Sequence, residues 1–265
     1  KYMFQSNVTA QATKTTKVSM KLNMQIQYQD TPYESTSNLF YYTMRANPVR
    51  FPATLPAQEG DTFVRYGNNV SWDTGSNDLN PYALMSRGYK EQYRSWMTAS
   101  LNVDQDLSFI TKGLSAKALV SFYNYSYAAT SRYHTPAYYK IDENSVVLNP
   151  DGTYSWDSAS IGTEGTTYLT SEVGASGYHE WSMQAQINYA RKFGKHDVSA
   201  DVVYHMKEKV NNATGADEES LLPFRQQGLA GRLTYNYGGR YFVEGNFGYN
   251  GSENFIAGKR FGFFP

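Results

Sequence analysis

Cysteine is absent from the 265 residues. That removes disulfides, thiol catalysis and cysteine-ligated metal sites. A small secreted domain usually depends on such bridges, so a chain without them must be stabilised by extensive sheet or by lipid. Histidine is scarce, and the four present (His134, His179, His196, His205) include no pair at metal-ligand spacing. Net charge is missing too, with 24 basic residues balancing 24 acidic ones. No broad attraction to nucleic acid or acidic lipid follows, and no nucleic-acid partner is expected. No apolar run approaches the roughly eighteen residues that a spanning helix needs. A mean hydropathy of −0.60 would ordinarily indicate a soluble protein. Transmembrane barrels escape that test, because half of every strand faces a polar lumen.

Catalytic signatures are missing as well. There is no GxSxG elbow, no phosphate-cradling glycine loop and no HExxH helix. The acidic pair Glu218–Glu219 sits in a polar stretch, where two carboxylates signal solvation more often than acid–base work. The chain is not expected to be an enzyme.

What is abundant is the aromatic class, at 16% of residues with 24 tyrosines among them. An apolar ring with a hydrogen-bonding tip suits a boundary between oil and water. The stretch LAGRLTYNYGGRYFVEGNFGY, residues 229–249, shows how the chain is organised. Leu229, Gly231, Leu233, Tyr235 and Tyr237 alternate with Ala230, Arg232, Thr234 and Asn236. Gly238-Gly239 then supplies the positive φ angles of a tight hairpin turn. Tyr241, Val243, Gly245, Phe247 and Tyr249 follow at the same period. Side chains on a strand switch faces at each residue, so each strand has one apolar and one polar wall.

The cleanest alternation is Val18, Met20, Leu22, Met24, Ile26 and Tyr28 against Lys17, Ser19, Lys21, Asn23, Gln25 and Gln27. Its span matches the roughly 9–11 residues of a tilted transmembrane strand. Tyr2–Ala12, Tyr93–Val103, Ser115–Tyr127, Trp181–Tyr189 and Val198–Met206 read the same way. Hairpins close with short turns, whereas the connections between hairpins are long. That asymmetry belongs to outer-membrane barrels with short periplasmic turns and long extracellular loops. The expected fold is all-β, an antiparallel transmembrane β-barrel segment. Met20, Leu22, Met24, Ile26, Val202 and Leu233 are expected to face outer-membrane lipid. Lys21, Asn23, Gln25, Asp201, His205, Arg232 and Asn236 are expected to line the lumen.

The long connections carry the remaining candidates. A short helix is expected over Ser35–Ala46, with Leu39, Tyr42 and Met44 on one side. Short strands are expected at Tyr138–Ile141, Thr153–Trp156 and Thr166–Glu172, with a turn at Asn149–Gly152. Trp72, Tyr82, Tyr154 and Trp156 are exposed-ring candidates for stacking against substrate; packing of the loops on one another is the competing role. Asp73, Asn77, Asp78 and Asn80 are oxygen ligands of the kind calcium prefers. They lack the spacing of a calcium loop, so no metal or other cofactor is expected.

The segment LPFRQQGLAGRLTYNYGGRYFVEGNFGYNGSENFIAGKRFGFFP, residues 222–265, strongly resembles the barrel of SusC/RagA-type TonB-dependent transporters. Asn80-Pro81-Tyr82-Ala83 and DLSFITKGLSAKALVSF (residues 106–122) add to that resemblance. The resemblance implies an outer-membrane importer of a Gram-negative cell, taking up oligosaccharides or, in some members, peptides. It implies a SusD-like surface lipoprotein over the mouth and the TonB complex as energy source, engaged through a part outside these residues. Residues 1–265 are therefore expected to be part of one barrel domain, a piece of a longer protein. The rivals are a barrel with adhesive loops that does not transport, and a secreted sugar-binding β protein.

Overall fold

The computed structural model describes residues 1–70, 77–162, 164–212 and 218–265. Nine strands make one large antiparallel sheet. They are β1 (Tyr2–Gln11), β2 (Thr16–Pro32), β3 (Gly88–Asp106), β4 (Leu114–Tyr133), β5 (Thr170–Phe193), β6 (His196–Asn211), β7 (Phe224–Tyr237), β8 (Tyr241–Ser252) and β9 (Phe261–Phe264). Their order across the sheet is their order in the chain. β1 and β9 are the two edges, so the sheet is open. All eight strands expected from alternation are present. The ninth lies in the closing GKRFGFFP and, at four residues, is too short for alternation to reveal.

The turns behave as their residues require. Gly238 and Gly239 take φ values of 61° and 73° between β7 and β8, in the region that L side chains rarely enter. Connections 12–15, 107–113, 194–195 and 238–240 are tight, and 33–87, 134–169 and 212–223 are long.

The chain divides into two compact units. One comprises Lys1–Tyr28, Tyr93–Ala128 and Ala175–Pro265; the other comprises Gln29–Gln92 and Ala129–Gly174. In the first, register joins most residues with their own kind, Ser6 against Leu22 being an exception. Val8 lies opposite Met20, Ser6 opposite Leu22, and Phe4 opposite Met24, while Asn7 faces Lys21 and Gln5 faces Asn23. Ile187, Val202 and Gly231 form one cross-strand row, and Asn188, Asp201 and Arg232 form the adjacent row on the other wall. Among its described residues only Gly228, Gly231 and Gly251 are buried. A Cβ on Gly231 would come within 2.2 Å of the Phe247 ring. The glycine thus lets that ring lie flat across its neighbour strand.

The second unit holds all the buried apolar side chains described: Phe51, Leu55, Tyr66, Ala83, Leu84, Ala129 and Ala137. Its strands Arg65–Gly67, Ala137–Ile141 and Ser158–Ile161 form a small sheet with 137–141 in the middle. Helix α1 (Thr36–Arg45) starts at Ser35, whose hydroxyl accepts from the Asn38 N–H at 3.1 Å. The helix forms where expected, but Met44 is 71% exposed instead of sharing a covered side with Leu39 and Tyr42. The Asn149–Gly152 turn is present, closed by a 3.0 Å backbone hydrogen bond. The expected strand at 153–156 shrinks to Tyr154–Ser155, paired with Val147–Leu148. Thr170–Glu172, the end of the third expected strand, opens β5.

Candidate functional site

Two surfaces carry chemistry: the two walls of the large sheet, and a pocket among the loops of the second unit. On the apolar wall the middle rows are aliphatic, with Met20 52%, Val202 41% and Leu233 55% exposed. Toward the tight turns this wall becomes aromatic. The Tyr237 and Tyr241 backbones pair directly, and the His196 ring lies 4.9 Å from that of Tyr237. At the opposite end Phe122 packs on Trp181 at 4.6 Å and Tyr28 on Tyr93 at 5.3 Å. The wall thus carries aliphatic rows between two aromatic zones.

The polar wall is cross-linked by side chains. Gln186 donates to Asp201 at 2.9 Å, the Ser199 and Thr234 hydroxyls bond to each other, and Arg232 pairs with Glu244 at 2.9 Å. His205 and Asn236 sit on this wall, opposite Gly228 and Asp197 respectively. Gln25 lies opposite Met3, Gln186 opposite Val203 and Asn236 opposite Phe242, so apolar side chains also stand on this wall. By register, Met20 lies opposite Val8 and Leu22 opposite Ser6, whereas Lys21 lies opposite Asn7 and Arg232 opposite Asp201.

Of the four loop aromatics, Tyr154 and Trp156 come together. With Leu55, Pro56, Arg65 and Ser158 they line a pocket of about 240 Å³. Tyr154 is 60% exposed and Trp156 37%, so their rings form its open rim. Arg65 was not anticipated from sequence, where a lone arginine between Val64 and Tyr66 gives no signal. It is 3% exposed. Its Nη2 donates to Ser158 Oγ at 2.7 Å, and its guanidinium lies 4.1 Å from the centre of the Tyr139 ring. Its Nε finds no hydrogen-bond partner; the Asp61 carboxylate stands 3.8 Å away. A cation in one pocket with two exposed rings can hold an amphipathic group, but the nearby carboxylate and the Tyr139 ring already compensate its charge.

Tyr82 stands apart from that pocket, its ring edge-on to Tyr66 with centroids 6.2 Å apart. Trp72 and Asp73 lie outside the described residues. Asn80 is fully committed to structure. Its Oδ1 accepts from the Tyr82 and Ala83 N–H groups at the start of helix α2 (Pro81–Ser86). Its Nδ2 donates to the Ala53 and Gly67 carbonyls at 2.7 and 2.8 Å. The Asn-Pro-Tyr-Ala motif is thereby explained as a buried helix cap with proline at the first helical position. Among the described residues no cluster of three metal-ligating side chains occurs.

Burial raises the Tyr138 phenol to about 12, more than the nearby Arg87 charge lowers it. Asp151 is held below the usual carboxylate range by hydrogen bonds from the Thr153 hydroxyl and N–H.

No family model and no curated protein matches this sequence. A chain in a solved structure of the RagAB peptide transporter is similar in fold, with a TM-score of 0.59 at 14% identity. The match covers 99% of this chain and 29% of that one, so the present residues span under a third of its length. At that identity the likeness shows fold alone: the large open sheet with its long connections is an arrangement found within a transporter chain.

Proposed function

We propose that this chain is part of the wall of a TonB-dependent, SusC-like β-barrel in the outer membrane of a Gram-negative cell. The barrel imports large nutrients, oligosaccharides or peptides. The apolar wall meets lipid, the polar wall borders the water-filled lumen, and the long loops form the mouth. A SusD-like surface lipoprotein covers that mouth, and the TonB complex supplies energy through a part outside these residues.

One observation carries the reading. The first unit, with its ordered nine-strand sheet, buries no side chain larger than glycine among its described residues. A soluble sheet turns its apolar face onto a protein core. Here Met20, Val202 and Leu233 are left exposed instead. Open edges at β1 and β9 are intolerable in hydrocarbon, where each unpaired backbone group costs on the order of several kcal/mol. In this reading both edges pair with other strands of the barrel.

Since these residues hold no cysteine, introduced thiols test the two walls directly once any cysteine elsewhere in the protein is replaced. Single cysteines at Leu22, Val202 and Leu233, and at Asn23, Gln184 and Asp201, would be placed in the full-length protein in native vesicles. A water-soluble maleimide is expected to label the second set and spare the first. Equal labelling of both sets would refute the assignment of walls.

A further inference from the structure

Toward the long loops one row of the apolar wall is charged. Register sets Trp181 of β5, Glu208 of β6 and Arg225 of β7 side by side. The N–H of Glu253, just past β8, donates to the Arg225 carbonyl at 3.1 Å. Arg225 Nε donates to the Glu208 carboxylate, and its Nη1 stands 3.8 Å from the carboxylate of Glu253. The next row toward the tight turns is Met183, Met206, Gln227, Gly251 and Phe261. A Cβ on Gly251 would come within 2.4 Å of the Phe261 ring, so the glycine lets that ring lie across the strand. Residues of both rows line a pocket of about 220 Å³, which Arg260 also borders. Arg260 Nε donates to the Phe255 carbonyl at 3.1 Å.

The position of the charged row matters as much as its composition. Along β5 to β8, four rows without a charged side chain separate it from the row of Arg191, Val198, Tyr235 and Val243. From Arg225 to Tyr235 the strand runs about 34 Å, or roughly 26 Å of depth at a barrel tilt of about 40°. An outer-membrane barrel carries an apolar band about 25 Å tall. The pocket therefore falls where acyl chains would give way to headgroups.

We infer that this pocket holds the headgroup of a phosphoethanolamine-bearing lipid, with an acyl chain running down the wall past Met206 and Val202. The inference rests on the apolar wall facing lipid, and it adds one specific lipid site to that reading. The guanidinium groups of Arg225 and Arg260 suit a phosphate. The carboxylates of Glu208 and Glu253 suit an ammonium, which donates three hydrogen bonds. These four charges balance, so the pocket complements a zwitterion better than a bare anion. Lys207 also borders it, but its ammonium pairs with Glu180 at 2.8 Å and alternation puts it on the other wall. A choline headgroup has the same two charges but no N–H to give the carboxylates. A glycerol headgroup lacks the cation.

The test offers the full-length protein, stripped of lipid in detergent, one of three phospholipids with identical chains: phosphatidylethanolamine, phosphatidylcholine or phosphatidylglycerol. Bound lipid is counted by native mass spectrometry, and heat-modifiable gel mobility confirms that each variant is folded. The ethanolamine lipid is expected to bind at least fivefold tighter than either rival. Arg260→Gln is expected to weaken it at least fivefold. Glu208→Gln combined with Glu253→Gln is expected to erase its advantage over phosphatidylglycerol. Equal affinity for the three lipids, a preference that survives the paired glutamines, or indifference to Arg260→Gln would overturn the site. Glycerophosphoethanolamine, the same headgroup without chains, is expected not to displace the lipid at equal concentration; displacement would make the occupant a soluble phosphate instead. Maleimide labelling at Val202→Cys reads the wall independently. A spared wall without lipid preference sinks only the pocket, whereas a labelled one sinks the lipid-facing reading beneath it.

Discussion

The two units of this chain solve the same problem in opposite ways. The unit built from residues 29–92 and 129–174 buries Leu84 to 2% exposure and Ala83 to 0%, with Phe51, Leu55 and Tyr66 close behind. The sheet unit leaves Leu233 at 55% and Ile187 at 55%. Both are rich in aromatics, so composition does not separate them. The difference lies in periodicity. Strict two-residue alternation over long strands makes two walls and no interior. Short irregular segments punctuated by Pro48, Pro52 and Pro56 fold back and enclose side chains. The first unit leaves its apolar wall uncovered by these residues, and the second encloses a core of its own.

If that contrast is right, the loop unit should fail by ordinary core damage. Leu84→Ala removes a fully enclosed side chain and is expected to cost about 2–5 kcal/mol. Hydrogen exchange should then speed up across 65–67 and 137–141 while β6 and β7 keep their protection. Equal loss in both units would show that they are one cooperative body. The sheet unit should fail by charge on the greasy wall. Leu22→Arg is expected to cost roughly 2–4 kcal/mol near the bilayer midplane, whereas Gln25→Arg, on the other wall, is expected to assemble normally. Folded fraction in vesicles, read from heat-modifiable gel mobility, checks both. Similar outcomes for the two would mean the walls are misassigned.

A smaller effect sharpens the loop side. Asn80→Ala deletes a helix cap and leaves the Ala53 and Gly67 carbonyls without their donor. The expected cost is about 1–3 kcal/mol. Asn80→Asp keeps the cap oxygen but not the amide donor, so it should lie between wild type and alanine. Urea titration followed by proteolysis in the 52–68 region reads the ranking.

Alternation made the sheet legible from sequence because its physics is local: the face of each residue follows from counting, and turn glycines mark the ends. The register of Ile187 with Val202 follows from the 194–195 turn and that of Gly231 with Phe247 from the 238–240 turn, whereas that of Val202 with Gly231 spans the long 212–223 connection and had to come from the structure. The loop unit was far less legible. Its α1 cap at Ser35 and the Asn149–Gly152 turn are local signals and were visible. The parallel pairing of Arg65–Gly67 with Ala137–Tyr139 joins segments some seventy residues apart, and nothing in either segment announces the other. Arg65 was missed for that reason. Its role depends on Ser158 and Tyr139, brought to it by that pairing. By alternation Tyr123, Tyr125 and Tyr127 share a face, but the contacts of Tyr125 with Trp96 and Tyr178 on the neighbouring strands need the sheet.

The weakest expected effect is one of pH, and it belongs to the loop unit. Burial holds the Tyr138 phenol neutral in the folded state up to about 12, against 10.0 for an unburied phenol. An acid whose folded pKa is raised binds more protons folded than unfolded above the lower value. Its contribution is therefore complete below pH 10 and declines as pH rises through the window from 10 to about 12. Arginines and lysines also approach titration there, so the raw slope is ambiguous. The difference between wild type and Tyr138→Phe isolates the phenol. Hydrogen-exchange protection of residues 137–141, compared at pH 9 and in the upper part of that window, should fall more in wild type than in the phenylalanine variant. Parallel declines would mean that Tyr138 meets solvent in the folded chain, and that the second unit is less enclosed than its buried Leu84 implies.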